Sequence, residues 1–335
     1  MKKTILTAAA LLLVSLAPTV LHAQTYVLDK TIDLTGEGGY DYVSIDKVNN
    51  RLYASHGTMV NVVDLATEKQ VGVIDNLKGI HGIAIDNKAN RGFISDGKAN
   101  AMVAFDLKTL KVVATIPLEG ASGPDAIIYD PFSERVFSFN GESKNASVVD
   151  ANTLKQVGTV DLGGGPEFAV PDGKGLMYNN LEDKNSLNVI DTKTLKVVKN
   201  YPLAPGGGPT GIALDEKNHR TFSVCRENKA MEVMDVISGK VVATVPIGAG
   251  VDAVAYDPET KLVFCSNGDA TTTIIKQESA DKYTVVQTLA TQNRAKTMAL
   301  DTKTHKIYLT VATYEGTTRK VVPNSFKILV YKLSK

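Results

Sequence analysis

Residues 79–118 read GIHGIAIDNKANRGFISDGKANAMVAFDLKTLKVVATIPL, and residues 208–247 read GPTGIALDEKNHRTFSVCRENKAMEVMDVISGKVVATVPI. The two stretches share one order of features: an opening glycine, an apolar run closed by aspartate, then three further apolar runs separated by polar turns. Outward from this pair, the closing aspartate recurs as Asp46, Asp86, Asp130, Asp172, Asp215, Asp257 and Asp301, at intervals of 40, 44, 42, 43, 42 and 44 residues. Seven residues before each stands Gly39, Gly79, Gly123, Gly165, Gly208 or Gly250, with Arg294 taking that place in the seventh unit. Self-similarity at such a period is the mark of a repeat architecture, and seven units account for the chain from Tyr26 onward.

Inside each unit the runs are short, β-branched and bounded by Asp, Asn, Gly and Lys, which predicts strands and leaves no room for a long helix. In the second unit the spacing predicts strands over His81–Ile85, Arg91–Ser95, Ala101–Phe105 and Lys111–Ile116. Four strands in 40 to 44 residues, seven times over, predict an all-β, seven-bladed β-propeller of four-stranded blades. A parallel β-helix has much shorter rungs, and two sandwiches would not give seven copies in phase. The seventh unit supplies only three runs, Lys296–Leu300, Lys306–Val311 and Phe326–Leu333. Residues 26–34, YVLDKTIDL, match the fourth-strand pattern KVVATIPL of residues 111–118, so the N-terminal strand is expected to complete the last blade and close the ring.

Composition is ordinary for a globular chain, at 43% hydrophobic and 22% charged residues. Lys and Arg number 37 against 36 Asp and Glu. That balance supplies no broad positive field, so no nucleic-acid partner is expected. At the N-terminus Lys2 and Lys3 precede an apolar run from Ile5 to Leu21 and the sequence Leu21-His22-Ala23. This predicts a signal peptide over residues 1–23 rather than an anchor, because Ser15, Pro18 and Thr19 interrupt a run already short for a span. Its removal turns a formal charge of +1 into −1 and leaves residues 24–335 as a single domain, expected to be periplasmic or secreted. No later segment could cross a bilayer as a helix.

The recurring segments VVDLATEKQVGVI, AFDLKTLKVVATI, VVDANTLKQVGTV, VIDTKTLKVVKNY and VMDVISGKVVATV resemble the YVTN-type β-propeller repeat family, the YncE-like exported bacterial proteins. The likeness covers residues 26–335, with departures in units six and seven, where Lys276 and Tyr331 replace Asp64, Asp106, Asp150, Asp191 and Asp235. It implies the fold, the compartment, and a binding or scaffolding role. The wider superfamily includes lactonases, lyases and quinone-dependent enzymes, so it does not fix an activity.

A residue that recurs in every unit is most simply explained by folding of the unit. Asp46 and its six equivalents are read as turn caps that accept a backbone hydrogen from two residues on. Positions that differ between units are the better candidates for function. Two residues past each opening residue, at the predicted mouth of the central channel, stand Asp41, His81, Asp125, Glu167, Thr210, Asp252 and Lys296. Carboxylates converging in a narrow channel hold a cation, share protons, or stay hydrated. The loops joining second and third strands are expected to open on the same face, with His56, Asp96, Asn140, Glu142, Asn179, Asn180, Arg226, Asn267 and Asp269. From these, the candidate ligand-binding set is Asp41, His56, His81, Asp96, Asp125, Glu167, Arg226, Asp252 and Lys296. Two imidazoles and a carboxylate, His56, His81 and Asp125, are the candidate set for a divalent metal.

His219 and His305 fall in turns on the opposite face and are read as solvated, while Cys225 and Cys265, at comparable ends of second strands, leave open whether they pair. No Gly-x-Ser-x-Gly is present, and the glycine runs lead into strands rather than helices, so neither a serine hydrolase nor a phosphate-binding loop is indicated. A long insertion, Tyr314–Asn324, carries Arg319 and Lys320 on the candidate face. The expected function is an exported binding or scaffolding propeller with a small polar molecule, a metal or a protein partner on its channel face. The alternative is a metal-assisted lactonase or lyase using the same face, with His81 as base and Asp125 or Glu167 holding a metal or polarising a carbonyl.

Overall fold

A computed structural model describes residues 25–316, 318 and 320–334. Seven four-stranded antiparallel sheets follow one another along the chain, and strand order within the first six is sequential. The innermost strands are Tyr40–Asp46, Ile80–Asp86, Pro124–Asp130, Pro166–Pro171, Pro209–Asp215, Ala253–Asp257 and Thr297–Asp301. The seventh sheet is completed by Tyr26–Asp33, which pairs antiparallel with Lys327–Leu333 from Tyr26↔Leu333 to Asp33↔Lys327. The ring is thus a seven-bladed β-propeller closed by its N-terminal strand, as the repeat arithmetic predicts. The expected signal peptide, residues 1–23, lies outside the described residues.

The core lies between adjacent blades. In one seam Tyr53, Val60 and Val62 of the first blade meet Ile83, Ile94, Val103 and Phe105 of the second. Burying a side chain such as Phe105 or Val62 contributes about 1.5–3 kcal/mol over leaving it in water. Each seam repeats this with its own residues, which is why the blades need one another.

Two kinds of β-bulge shape the blades, one on the outermost strands and one on the innermost strands of the first five. On the outermost strands of the first six blades the register skips one residue, Val71, Val113, Val157, Val198, Val242 or Val286. Five of these valines are exposed, which accounts for much of the apolar surface at the rim, and the bulge twists the free edge away from flat pairing. In the closing strand the same place belongs to Asp29. There it accepts from Lys332 and Lys306, and Lys306 also reaches Glu68 of the first blade, so the seam that joins the two chain ends carries an ion-pair network.

Turns on one face repeat. Asp46, Asp86, Asp130, Asp172, Asp257 and Asp301 each accept the backbone N–H two residues on, at 2.7–3.2 Å. Asp215 accepts from Asn218 instead, and its second oxygen takes a bond from Gln277.

Candidate functional site

The second kind of bulge builds the site. In the first blade Tyr40 pairs with His56 and Val43 with Ala54, so Asp41 and Tyr42 together oppose a single residue. The second to fifth blades repeat the slip around His81-Gly82, Asp125-Ala126, Glu167-Phe168 and Thr210-Gly211. A bulge re-aims the side chain it carries, and here it takes the first residue out of the ladder at the channel mouth. Small polar residues on the second strand secure the displaced backbone. Ser55 accepts the N–H of Asp41, Ser95 donates to the carbonyl of Asp125, and Asn180 donates to the carbonyls of Thr210 and Gly211.

At the mouth the charged side chains form two groups. His81 Nδ1 lies 2.7 Å from Asp41 Oδ2 and 3.6 Å from Asp125 Oδ1, joining three consecutive blades. One ligand atom from each of these three residues lies within 4.8 Å of the others. Asp125 Oδ1 is turned inward without a hydrogen-bond partner. Gly97 makes room for this arrangement, since a Cβ there would stand 2.9 Å from the His81 ring. Across the mouth Asp252 is bound by Arg226 and by Lys296, the latter at 2.5 Å, and Arg226 also holds Glu182 at 2.9 Å.

Protonation follows from this geometry. The hydrogen bond to Asp41, with the charge of Asp125 adding to it, raises the pKa of His81 against the opposing effect of burial. Burial pushes Asp125 up to about 6, helped by Asp41 and opposed by His81. Glu167 is pushed up to about 9 by burial and by Glu182, against the pull of Arg226. At neutral pH Glu167 therefore keeps its proton and stands at the mouth as a carboxylic acid.

One residue deeper than the charged ring, the blades carry Tyr42, Gly82, Ala126, Phe168, Gly211, Ala253 and Thr297. Tyr42 and Phe168 come from the first and fourth blades, which are not neighbours, yet their rings are 4.5 Å apart. This contact spans the central channel. Burial and the charges of Asp125, Asp41, Glu167 and Asp252 together raise the Tyr42 phenol, which lies within the field of all four carboxylates. The small residues in the other blades leave the space that the two rings fill. The mouth is a cup with an aromatic floor.

Of the sequence candidates, Asp41, His81 and Asp125 come together, Arg226, Asp252 and Lys296 form the opposite group, and Glu167 stands with them at the mouth. His56 does not join: it is 1% exposed, lies against Phe326 at 4.4 Å, and places Nδ1 3.1 Å from Asn61. The candidate metal set His56, His81 and Asp125 is corrected accordingly, with Asp41 in the place of His56. Asp96 is buried too, and its two oxygens accept the N–H groups of Lys78 and Gly79, so it fixes a connection between blades. Thr210 turns its hydroxyl to the carbonyls of Asp252 and Val224.

The physical reason is shared: His56, Asp96, Asn140 and Cys225 all pair opposite the first-strand residue that precedes the bulge, and all are buried. Glu182 and Arg226, one place further on, are the residues that reach the mouth. At that place the first three blades and the sixth carry Gly57, Gly97, Gly141 and Gly268, and this contrast with Glu182 and Arg226 is the sequence signal that marks both. His305, read as solvated, instead places Nδ1 2.6 Å from the buried Asp257. Cys225 and Cys265 are free and buried. Arg319 lies outside the described residues, whereas Lys320 pairs with Glu315 at 2.9 Å.

No family model matches the chain, and no curated protein matches it. Among solved structures, a chain in a crystal structure of the mitotic checkpoint complex superposes with a TM-score of 0.75, covering 99% of this chain and 99% of its own. The two are 11% identical, so the likeness is one of fold alone. Among the described residues no helix is long and apolar enough to cross a membrane.

Proposed function

We propose that this chain is an exported binding propeller that holds a divalent metal ion at the mouth of its channel, through Asp41, His81 and Asp125. The observation that carries the reading is the convergence of three ligand atoms from three successive blades within 4.8 Å of one another, one of them the unpartnered Oδ1 of Asp125. One imidazole and two carboxylates suit Mn, Fe(II) or Zn, and the open side of the cup leaves positions for a polar ligand to complete the coordination. Export, and membership of the YVTN-type repeat family, belong to the same proposal and rest on residues 1–23 and on the recurring segments quoted above. A protein partner on this face is the competing form of a binding module, supported by the common use of propellers as scaffolds.

Manganese or zinc titrated calorimetrically into chelator-treated protein tests the reading. One ion per chain is expected, with affinity at least tenfold weaker in Asp125→Asn and His81→Ala and unchanged in His219→Ala. Because His81 must lose its proton to bind, affinity also falls as pH drops below its raised pKa. Absence of binding and of any thermal shift with Mn, Zn or Ca at millimolar concentration rejects the metal.

A second reading, metal-assisted opening of a lactone or elimination from a uronide, is favoured by one observation. Glu167 keeps its proton at neutral pH and stands at the same mouth with Arg226, so it can act as an acid towards a leaving oxygen. Turnover of a lactone and uronide panel by the metal-loaded protein, lost in Glu167→Gln, separates enzyme from binder.

A further inference from the structure

Beside the charged cup, at the seam of the sixth, seventh and first blades, lies a separate cavity of about 800 Å³. Its lining includes Tyr40, Tyr314, Asn293, Arg294, Lys296 and Asp269, together with backbone at Gly39, Gly250 and Gly268. The volume falls in the range of small-molecule sites, roughly 300–1,000 Å³.

Arg294 is the residue that breaks the opening-glycine pattern. It adopts φ of +67°, while Gly123, Gly208 and Gly250 hold +65°, +60° and +66° at the same place in their blades. Glycine takes that conformation without penalty and arginine does not, so the seventh blade keeps a less favourable residue where three of its siblings have the favourable one. Other turns of the described chain hold non-glycine residues in the same region, Leu110, Lys144 and His305 among them, so what sets Arg294 apart is its surroundings and not its backbone alone.

The surroundings indicate what the function is. The Arg294 guanidinium lies over the ring of Tyr314, 4.1 Å from its centroid, and Tyr314 comes from the insertion that only this blade carries. Tyr40 donates its hydroxyl hydrogen to the Arg294 carbonyl at 2.6 Å and stacks on Phe326, while the Arg294 N–H donates to Gly268. Backbone and side chain are thus fixed from three sides. Among the described residues no carboxylate pairs with Arg294, and its guanidinium donates at 3.4 Å to the carbonyl of Thr318. Lys296 adds a second cation, shared with Asp252. The carboxylate in the lining, Asp269, is occupied, accepting from the N–H of Ala249 and the hydroxyl of Thr271.

A guanidinium immobilised on an aromatic face presents a planar, bidentate donor for an oxyanion, and the two tyrosines supply flat apolar wall beside it. We propose that this cavity is a ligand site of its own, which takes a carboxylate attached to a flat ring. Arg294 binds the carboxylate, Lys296 adds to the local positive potential, and Tyr40 and Tyr314 receive the ring. The site uses none of the three proposed metal ligands, so it stands or falls separately from the metal reading.

Calorimetric titration of 2-naphthoate and of cyclohexanecarboxylate into chelator-treated protein provides the test. The flat ring is expected to bind more tightly than the saturated one. Arg294→Gly, the residue the other blades carry, is expected to weaken naphthoate at least tenfold while leaving the melting temperature equal or higher, which excludes misfolding as the cause. Tyr314→Leu is expected to narrow the gap between the two ligands, and His81→Ala to change neither. Equal affinity in Arg294→Gly, or no binding of either carboxylate at millimolar concentration, overturns the proposal.

Discussion

Turn aspartates on one face of this ring and Asp125 on the other are shifted in opposite directions. On the face of the repeated turns, Asp64, Asp106, Asp150 and Asp191 each accept two backbone N–H groups, and those bonds hold their carboxyls below the usual carboxylate range. On the face of the channel mouth, burial and like charge push Asp125 up to about 6 and Glu167 up to about 9. The carboxyl group therefore stabilises the fold in these turns and is held against its own preference at Asp125 and Glu167. The difference separates residues that fold the blade from residues kept for something else.

The innermost strand of the third blade carries both kinds, Asp130 at one end and Asp125 at the other. Asp130 is wholly buried and accepts from the N–H groups of Phe132 and Ser133 and from the Ser133 hydroxyl. Asp130→Ala strands those donors and is expected to cost about 2–3 kcal/mol, the largest effect among the substitutions considered. Urea unfolding at pH 7 measures it, and a loss under 0.5 kcal/mol would break the distinction between the faces.

Asp125→Asn should have the opposite sign. A carboxyl whose pKa is raised on folding binds more protons folded than unfolded between about pH 4 and 6, so stability falls as pH rises through that window and stays low above it. Asparagine escapes this loss. In metal-free protein at pH 7 a gain of about 1 kcal/mol is expected, well below full linkage because 38% of the side chain remains open to water. At pH 4 the gain should disappear. A destabilised variant at pH 7 would place Asp125 with the folding residues.

How far the sequence could be read follows from what spacing encodes. The seven units, the closing strand and the turn aspartates are all local patterns, and the match of residues 26–34 to residues 111–118 even aligns Asp29 with the bulged Val113. The mouth residues were reachable by counting two places from each opening residue. Counting could not show that His56 pairs opposite Tyr40 and turns under the loop, because the end of a second strand and the place after it differ by one residue and by face. Nor could it find Tyr42 against Phe168, a contact 126 positions apart that exists only once the ring has closed. Arg294 was visible as an exception to the glycine pattern, but its meaning depends on Tyr314, which an insertion of unrelated sequence brings to it.

The smallest expected effect sharpens the comparison on the channel face itself. His81 is a mouth group whose raised pKa stabilises the fold near neutral pH, because its charged form is bound by Asp41. Such a group contributes fully below its unfolded value, about 6.5, and the contribution is lost as pH rises through the higher folded value. Asp41→Asn keeps the side-chain shape but removes the charge, so the His81 pKa should fall towards or below 6.5 in an NMR titration of the metal-free protein. The matching stability change is expected to be a few tenths of a kcal/mol at pH 5.5 and nil at pH 9, since 39% of the imidazole and 29% of the carboxylate face water. If the His81 pKa is unmoved, the 2.7 Å contact with Asp41 does not set its proton, and the acid–base character of this half of the mouth would have to come from Asp125 alone.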